Sequence, residues 1–530
     1  MSAHAASARL KLSGTCFFLQ ILTIILFAVF VRYSPDTSPG LCSPQLNCSS
    51  ERNPSSDSRF HHPRFRDVHL QILIGFGFLM AFLSRYGAGS LAINFLVVAF
   101  AIQWAILIQG FFYSFLNGKI YMEAQSIVSA DFCVGAILIS AGAVLGRVNP
   151  LQMLLMTLLE VIFFTINEYI LLNLMGVSDS GGSLTIHTFG AYFGLMVSRI
   201  LHQPHLDKRN QQQDMGHYPD VFAAVGTVYL WIFWPGFASA TMVHTNAEPW
   251  AVLNIYLALA ASTLATFVIS PLLHEEGMLQ MTQVQDAAVA GVAVMGMAGE
   301  MLLTPFGALI AGFLAGLISP LGFKFLTPVL SSKLNIQDTC GVHNVHGMPG
   351  ILGTLLGMLL TALATADTYG NRMELVFPHV ADGSRTATYQ AVWQLCALFV
   401  TLLLVLLGGS IVGAILKIKR LGSPPDTQHL ENKTFWEGSH LRVGAGVCGA
   451  AQARGEQGGA GHQHLSLAAL TLRRRPSRQH CQRRGAFGTP NSPAALSGDS
   501  QACPHVASSI QSRRSGESWV HTGLSGTSPW

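Results

Sequence analysis

Two histidines carry the chemistry that the sequence offers. His187 follows Asp179-Ser180-Gly181-Gly182-Ser183-Leu184-Thr185-Ile186, and His346 follows Asp338-Thr339-Cys340-Gly341-Val342-His343-Asn344-Val345. Aligned on the two histidines, both stretches place Asp eight residues before, Gly five before and Gly seven after. A fixed register of this kind points to a duplicated unit with one polar site in each copy. A histidine inside a membrane helix is costly and normally faces a cavity or the bundle interior. Either one alone would be equally well explained as a structural residue bonded to a neighbouring helix. Two at matching positions would meet across a pseudo-twofold axis, where one ring nitrogen donates to the other and the pair titrates as a unit. A neutral pair offers a lone pair and an N–H to a small polar solute in an otherwise apolar pore.

The carboxylates around the histidines admit two readings. Asp179 and Asp338 fall at helix starts, where side-chain oxygens can accept from the amides of Gly181, Gly182 or Gly341. Asp179 can equally supply negative potential for a cation just above the histidines. For Asp338 capping suffices, and His343, without a counterpart in the first copy, reads as structural. Trp231, Trp234 and other aromatics at helix ends read as belt or core residues, and small residues such as Gly190, Gly194, Gly350, Gly353 and Gly357 allow helix backbones to approach.

The elements that must hold these residues are membrane helices. The chain has 530 residues, 50% hydrophobic and only 11% charged, with a mean hydropathy of +0.41; soluble proteins carry about one quarter charged residues. The net charge of +4 misleads, because the ten arginines and three acidic residues of 438–530 alone give +7 and leave 1–437 at −3. Apolar segments able to cross about 30 Å of hydrocarbon recur near 15–31, 69–84, 89–113, 123–145, 151–173, 184–201, 220–241, 249–271, 284–303, 306–322, 345–364 and 389–416. These predict twelve transmembrane helices in an all-α polytopic protein. Alternation places Arg147, Arg199, Lys324, Lys333 and Lys417 on the cytoplasmic side and both termini with them.

After the first helix, the next ten fall into two groups of five, with His187 and His346 each opening a fifth helix. The third helices echo one another, Asp131-Phe132-Cys133-Val134 against Asp286-Ala287-Ala288-Val289. An odd count per copy inverts the second, and such inverted repeats place a transport site at their interface. The segments are therefore a cytoplasmic N-terminus 1–14, a first membrane helix 15–31, an extracellular loop 32–67, a membrane domain 68–420 and a basic cytoplasmic tail 421–530. The loop carries one usable glycosylation sequon, Asn47-Cys48-Ser49, and Cys42 and Cys48 there leave a disulfide open. Cys16, Cys133, Cys340 and Cys396 read as buried small residues. The tail from Gly438 has no apolar periodicity and reads as disordered. No nucleophile–base set, nucleotide loop or metal spacing appears, so neither an enzyme, a cofactor, a metal site nor a nucleic-acid partner is expected.

The quoted stretches, Asp179-x-x-Gly-Ser-x-x-x-His187-Thr-Phe-Gly and Asp338-Thr-Cys-Gly-Val-His-Asn-Val-His346-Gly-Met-Pro-Gly, resemble the ammonium transporter/Rh family. Within it the chain is similar to the non-erythroid Rh glycoproteins from about residue 10 to 430. Ser423-Pro424-Pro425-Asp426 is closer to type B, with type C the near alternative. The resemblance implies an ammonium transporter fold and a homotrimer with one pore per subunit. It also implies a plasma-membrane location, basolateral in epithelia for type B. By the same resemblance Phe132 and Phe237 match a stacked phenyl gate, His187 and His346 the twin histidines, Asp179 the aspartate beneath the recruitment site, and Glu168 an acidic residue of the outer vestibule. Ammonium would be recruited outside, lose its proton at the gate and pass as ammonia. A non-transporting membrane scaffold and a carbon dioxide path are the alternatives. The chain departs from the family at Ala290-Gly291-Val292, where a Gly-Gly pair is usual and looser packing is expected. It departs again at Ile418-Lys419-Arg420, which weighs against the cytoskeletal anchoring of relatives, and throughout the tail.

Overall fold

Apolar stretches of this length become helices because only a helix satisfies its own backbone away from water. The computed structural model describes residues 3–34, 62–77, 87–203, 220–242, 248–273 and 281–418, with 277, 279 and 421; all lie in one unit, Met1–Gly446. Asn47, Cys42, Cys48 and the tail from 422 fall outside the described residues.

The helices are α1 (Ala3–Phe30), α2 (His62–Leu70), α3 (Gly87–Tyr113), α4 (Ala124–Val144), α5 (Pro150–Glu168), α6 (Phe189–Ile200), α7 (Asp220–Ser239) and α8 (Glu248–Leu273). They continue as α9 (Met281–Ala293), α10 (Met295–Ala298), α11 (Pro305–Leu321), α12 (Thr327–Lys333), α13 (Met348–Ala362), the short α14 (Ala366–Tyr369), α15 (Arg372–Val376) and α16 (Pro378–Ala381), and the long α17 (Ala387–Leu416). Among the described residues, eight helices are long and apolar enough to cross a membrane. Of the other expected spans, 184–201, 220–241 and 284–303 are helical without meeting that measure, the last because it breaks at Val294 into α9 and α10. Residues 78–84 of the 69–84 span lie outside the described set. The first helix begins at Ala3 rather than at 15, since nothing between Ala3 and Gly14 stops a helix.

The protein is not purely helical. A three-stranded sheet, in the order β1-β3-β2, caps the face on which the 32–67 loop was expected, which we call outer. β1 (Val31–Tyr33) runs parallel to β3 (Lys119–Met122), and β2 (Phe115–Leu116) runs antiparallel to it. Asn117 and Gly118 join β2 to β3 with φ of +51° and +75°, the backbone of a two-residue hairpin that Asn-Gly favours. Because β1 continues directly from α1, the first helix is tied to this hairpin. Lys119 Nζ reinforces the tie by donating to the Val29 carbonyl at 2.6 Å.

The closest helix approach is between α8 and α11. At Gly312 and Gly316 of α11 an added Cβ would stand 2.1 Å from the Ala258 carbonyl oxygen and 2.2 Å from that of Ser262, both on α8. The same closeness rules out loose packing at Ala290-Gly291-Val292: Ala290 and Val292 are fully buried, and a Cβ on Gly291 would meet Ser262 Cβ at 2.6 Å. Here Gly291 alone gives α8 the room expected of two glycines. The cysteines divide: Cys133 is buried, Cys16 and Cys340 partly so, while Cys396 is exposed because its side of α17 faces away from the bundle.

Gly312→Val is expected to force α8 and α11 apart and destabilise the fold by about 1–3 kcal/mol. A thermal-unfolding scan of the detergent-solubilised protein, with Phe306→Val on the exposed side of α11 as control, measures it.

Candidate functional site: a buried histidine pair beneath an acidic cavity

The site is built where two helices start late. Residues 175–182 and 334–341 are irregular, and each gives way to a π-helical turn, Ser183–Thr188 before α6 and His343–Gly347 before α13. Gly182 and Gly341, the glycines five before each histidine, take φ of +78° and +69°. A side chain resists that region, which explains the residue type there. The wider π turn swings each histidine off the regular helical path; such turns recur at functional sites.

The two rings meet. His187 Nδ1 lies 3.0 Å from His346 Nδ1, the ring planes differ by 11°, and the residues are 1% and 6% exposed. One Nδ1 therefore carries the hydrogen and the other accepts it. In a neutral pair the first ring then presents Nε2 as an acceptor and the second presents Nε2–H as a donor.

Above the pair, Phe132 of α4 and Phe237 of α7 stack with centroids 4.8 Å apart and planes 18° apart. Trp234, one turn before Phe237, joins the two features. Its ring stacks on His187 at 6.0 Å and on His346 at 6.5 Å, and meets Phe237 edge-on at 6.2 Å. Trp234 is fully buried, and its Nε1–H has no hydrogen-bond partner. The reading as a core aromatic holds, and the structure adds the contact of Trp234 with both histidines. Its spacing of three from Phe237 was the available signal, since i and i+3 share a helix face.

A cavity of about 400 Å³ opens outside the stack, with Phe132, Glu123, Glu168 and Asp179 in its wall. Glu168 ends α5, as expected, and accepts from Gln109 Nε2 at 3.1 Å and Tyr113 Oη at 3.3 Å. Glu123, not anticipated, precedes α4 and adds a further carboxylate. The hairpin from Ile120 to Met122 forms another part of the wall.

Asp179 does cap the segment that follows, but through different donors from those expected. Its Oδ2 accepts from Leu184 N at 3.0 Å, Thr185 N at 2.7 Å and Thr185 Oγ1 at 2.9 Å. The glycine amides are engaged elsewhere: Gly181 N donates to the Gly296 carbonyl and Gly182 N to the Asp179 carbonyl. Asp179 Oδ1 has no hydrogen-bond partner among the described residues. Asp338 uses both oxygens, accepting from Val342 N at 2.9 Å and His343 N at 2.8 Å. His343 packs edge-on against Tyr192 at 5.7 Å rather than joining the pair.

Ser183 proved more important than its neighbours suggested. Its Oγ donates to the Ala293 carbonyl at 2.7 Å and accepts from Met297 N at 2.9 Å, so it mends the break between α9 and α10. An unpaired backbone group at that depth would cost several kcal/mol. The histidine-bearing segment is thereby plugged into the broken helix.

Asp179→Ala leaves three buried donors unpaired, at a cost of about 1–3 kcal/mol each, whereas Asp179→Asn keeps an acceptor there. Thermal unfolding is expected to drop much further for Ala than for Asn; equal drops would mean that the capping bonds contribute little.

The match to known proteins follows the same residues. The profile of the Ammonium Transporter Family matches residues 22–427. The chain is 51% identical over 467 residues to ammonium transporter Rh type B-A of Xenopus laevis, covering 88% of this chain and 98% of that protein. It is 52% identical over 434 residues to human ammonium transporter Rh type B, covering 82% and 94%. Among solved structures, Nitrosomonas europaea Rh50 superposes with a TM-score of 0.59 at 34% identity, over 74% of this chain and 94% of that one. Saccharomyces cerevisiae Mep2, at 18% identity and a TM-score of 0.56 over 72% and 91%, shares the fold. With a helical fold common to these structures, a family profile over residues 22–427 and about half of the aligned residues identical to Rh type B proteins, the chain belongs to the ammonium transporter family.

Proposed function

We propose that the chain carries ammonium nitrogen across a cell membrane, collecting ammonium in the outer cavity and passing ammonia along the histidine pair. The observation that carries this reading is the 3.0 Å contact between His187 and His346 at the end of a column of apolar rings. Glu123, Glu168 and Asp179 give the cavity wall the sign that attracts a cation. Asp179 Oδ1, buried and unpaired, supplies an acceptor for an ammonium N–H. The stacked faces of Phe132 and Phe237 add cation–π attraction. Beyond them a charge loses its hydration with nothing to replace it, which disfavours ammonium by several kcal/mol or more. Ammonia needs only hydrogen-bond partners. The neutral pair offers one acceptor and one donor, matching a molecule that has N–H groups and a lone pair.

The architecture behind this function is read as twelve membrane helices, ten of them in two inverted repeats of five. Several matched features support the repeat. Each histidine lies in a π turn, each glycine five before it has positive φ, and each aspartate eight before it caps the turn. Seven after, an added Cβ at Gly194 or Gly353 would stand 2.5 Å from a backbone carbonyl, that of Ser140 and Val294 respectively. The resemblance adds a homotrimer in the plasma membrane with cytoplasmic termini, a glycan on Asn47 and a basolateral site for a type B protein. Exposed apolar side chains such as Phe306, Leu272 and Phe399 need lipid or partner chains to cover them. The segments 1–14, 15–31, 32–67, 68–420 and 421–530 keep their assigned sides, with the first helix extended toward Ala3. A non-transporting scaffold has no use for a hydrogen-bonded pair in an apolar core. Carbon dioxide passage would not engage it.

His187→Ala and His346→Ala are each expected to cut methylammonium uptake by about tenfold or more, the factor that about 1.4 kcal/mol represents, with oligomer size unchanged on gel filtration. Full uptake in both variants would remove the pair from the mechanism. Stopped-flow pH recording on voltage-clamped proteoliposomes is expected to give an ammonium-driven pH change that does not follow the voltage; a change that follows it would assign net charge movement instead.

A further inference from the structure

Glu300 lies in the turn between α10 and α11 and is only 2% exposed. Its carboxylate reaches back to the irregular turn that carries Asp179. Ser180 Oγ donates to its Oε2 at 2.6 Å, Ser180 N to its Oε1 at 3.4 Å, and Ser178 Oγ also donates to Oε1. The donors therefore stand on either side of Asp179, one residue before and one after. Within 178–182 the backbone makes one bond to itself, Gly182 N to the Asp179 carbonyl at 3.0 Å, and is otherwise held from outside, Gly181 N donating to the Gly296 carbonyl and Thr241 Oγ1 to the Ser180 carbonyl.

The carbonyls of the same turn are taken from the other side. Arg385 Nη1 donates to the Met175 carbonyl at 2.7 Å, Gln390 Nε2 to that of Gly176 at 2.7 Å, and Gln394 Nε2 to that of Ser178 at 3.3 Å. Glu300 is anchored in turn, because Arg372 Nη2 donates to its carbonyl at 2.9 Å while the guanidinium lies 3.9 Å over the Trp250 ring. The turn is thus suspended between a carboxylate on the α10–α11 connection and amide and guanidinium donors at the outer end of α17.

We infer that Glu300 is a positioning residue for Asp179: by holding the Ser178 and Ser180 hydroxyls it sets where the free oxygen of Asp179 stands in the cavity wall. This rests on the transport reading for its consequence, since a misplaced Asp179 weakens ammonium capture and leaves passage along the histidines intact. Glu300 does not itself line the cavity, so its effect runs through Asp179.

Glu300→Gln keeps the shape of the side chain and removes an acceptor. In proteoliposomes the apparent KM for methylammonium is expected to rise about fivefold with Vmax within about twofold, the size of effect that losing one ordinary hydrogen bond produces. Ser180→Ala, which leaves both carboxylates in place, is expected to raise KM in the same direction. In an Asp179→Asn background, Glu300→Gln is expected to add nothing, because the two changes act on one interaction. An unchanged KM for Glu300→Gln, or an equal rise with and without Asp179, overturns the inference. Melting temperatures of the same four proteins are expected to combine non-additively, and additive shifts overturn it too. Absent uptake by the wild type would reject the transport reading alone, because the melting cycle still reads the coupling.

Discussion

The arrangement turns on one hydrogen bond, between Nδ1 atoms of two histidines 159 residues apart in the chain. Both rings are almost wholly buried in an apolar bundle, where an imidazole without a partner is expensive. Each is the partner of the other. For the rings to meet, the segments that carry them must both enter the bundle as something other than a regular helix, and both do so through a glycine with positive φ and a π turn. A bundle of unbroken helices would present its side chains at fixed 3.6-residue intervals and would leave no route for two helix heads to converge.

Breaking helices at that depth creates unpaired backbone groups, and much of the remaining polar structure exists to satisfy them. Asp179 and Asp338 take the free amides at the two helix starts. Ser183 repairs the gap between α9 and α10. Glu300 and the side chains at the outer end of α17 hold the loop above it. These residues form a continuous support under the cavity, and the bonds that stabilise the irregular segments are the same bonds that orient Asp179 and His187. Stability and the geometry of the site therefore rest on a shared set of contacts.

The outer cavity shows a different division of work. Phe132 brings one ring of the Phe132–Phe237 stack into its wall, its carboxylates come from the end of α5, the start of α4 and the Asp179 turn, and part of its wall is a β-hairpin. That hairpin pairs with the strand following α1. The extra first helix is consequently linked to the rim of the cavity as well as to the bundle.

The family resemblance alone pointed to Phe132, Phe237 and Glu168, whereas the amino-acid sequence was enough for the membrane class, most of the helices, the two histidines and the aspartates eight residues before them. Each leaves a one-dimensional trace: hydropathy over twenty residues, or a polar motif recurring at fixed register in an apolar chain. Asn117-Gly118 also marked the hairpin, although an all-helical reading passed over it. Ser183 and Glu300 left no such trace, and Trp234 left only its spacing of three from Phe237. An aromatic or a serine in an apolar helix has the same one-letter context whether it packs inertly or closes a site. Only the fold brings Trp234 against both histidines, Ser183 into the break of a helix 110 residues away, and Glu300 beneath the Asp179 turn. The sequence by itself determined which polar groups were too costly to bury alone. The tertiary structure decided which partners satisfy them, because a hydrogen bond requires direction and distance that residue type and spacing do not contain.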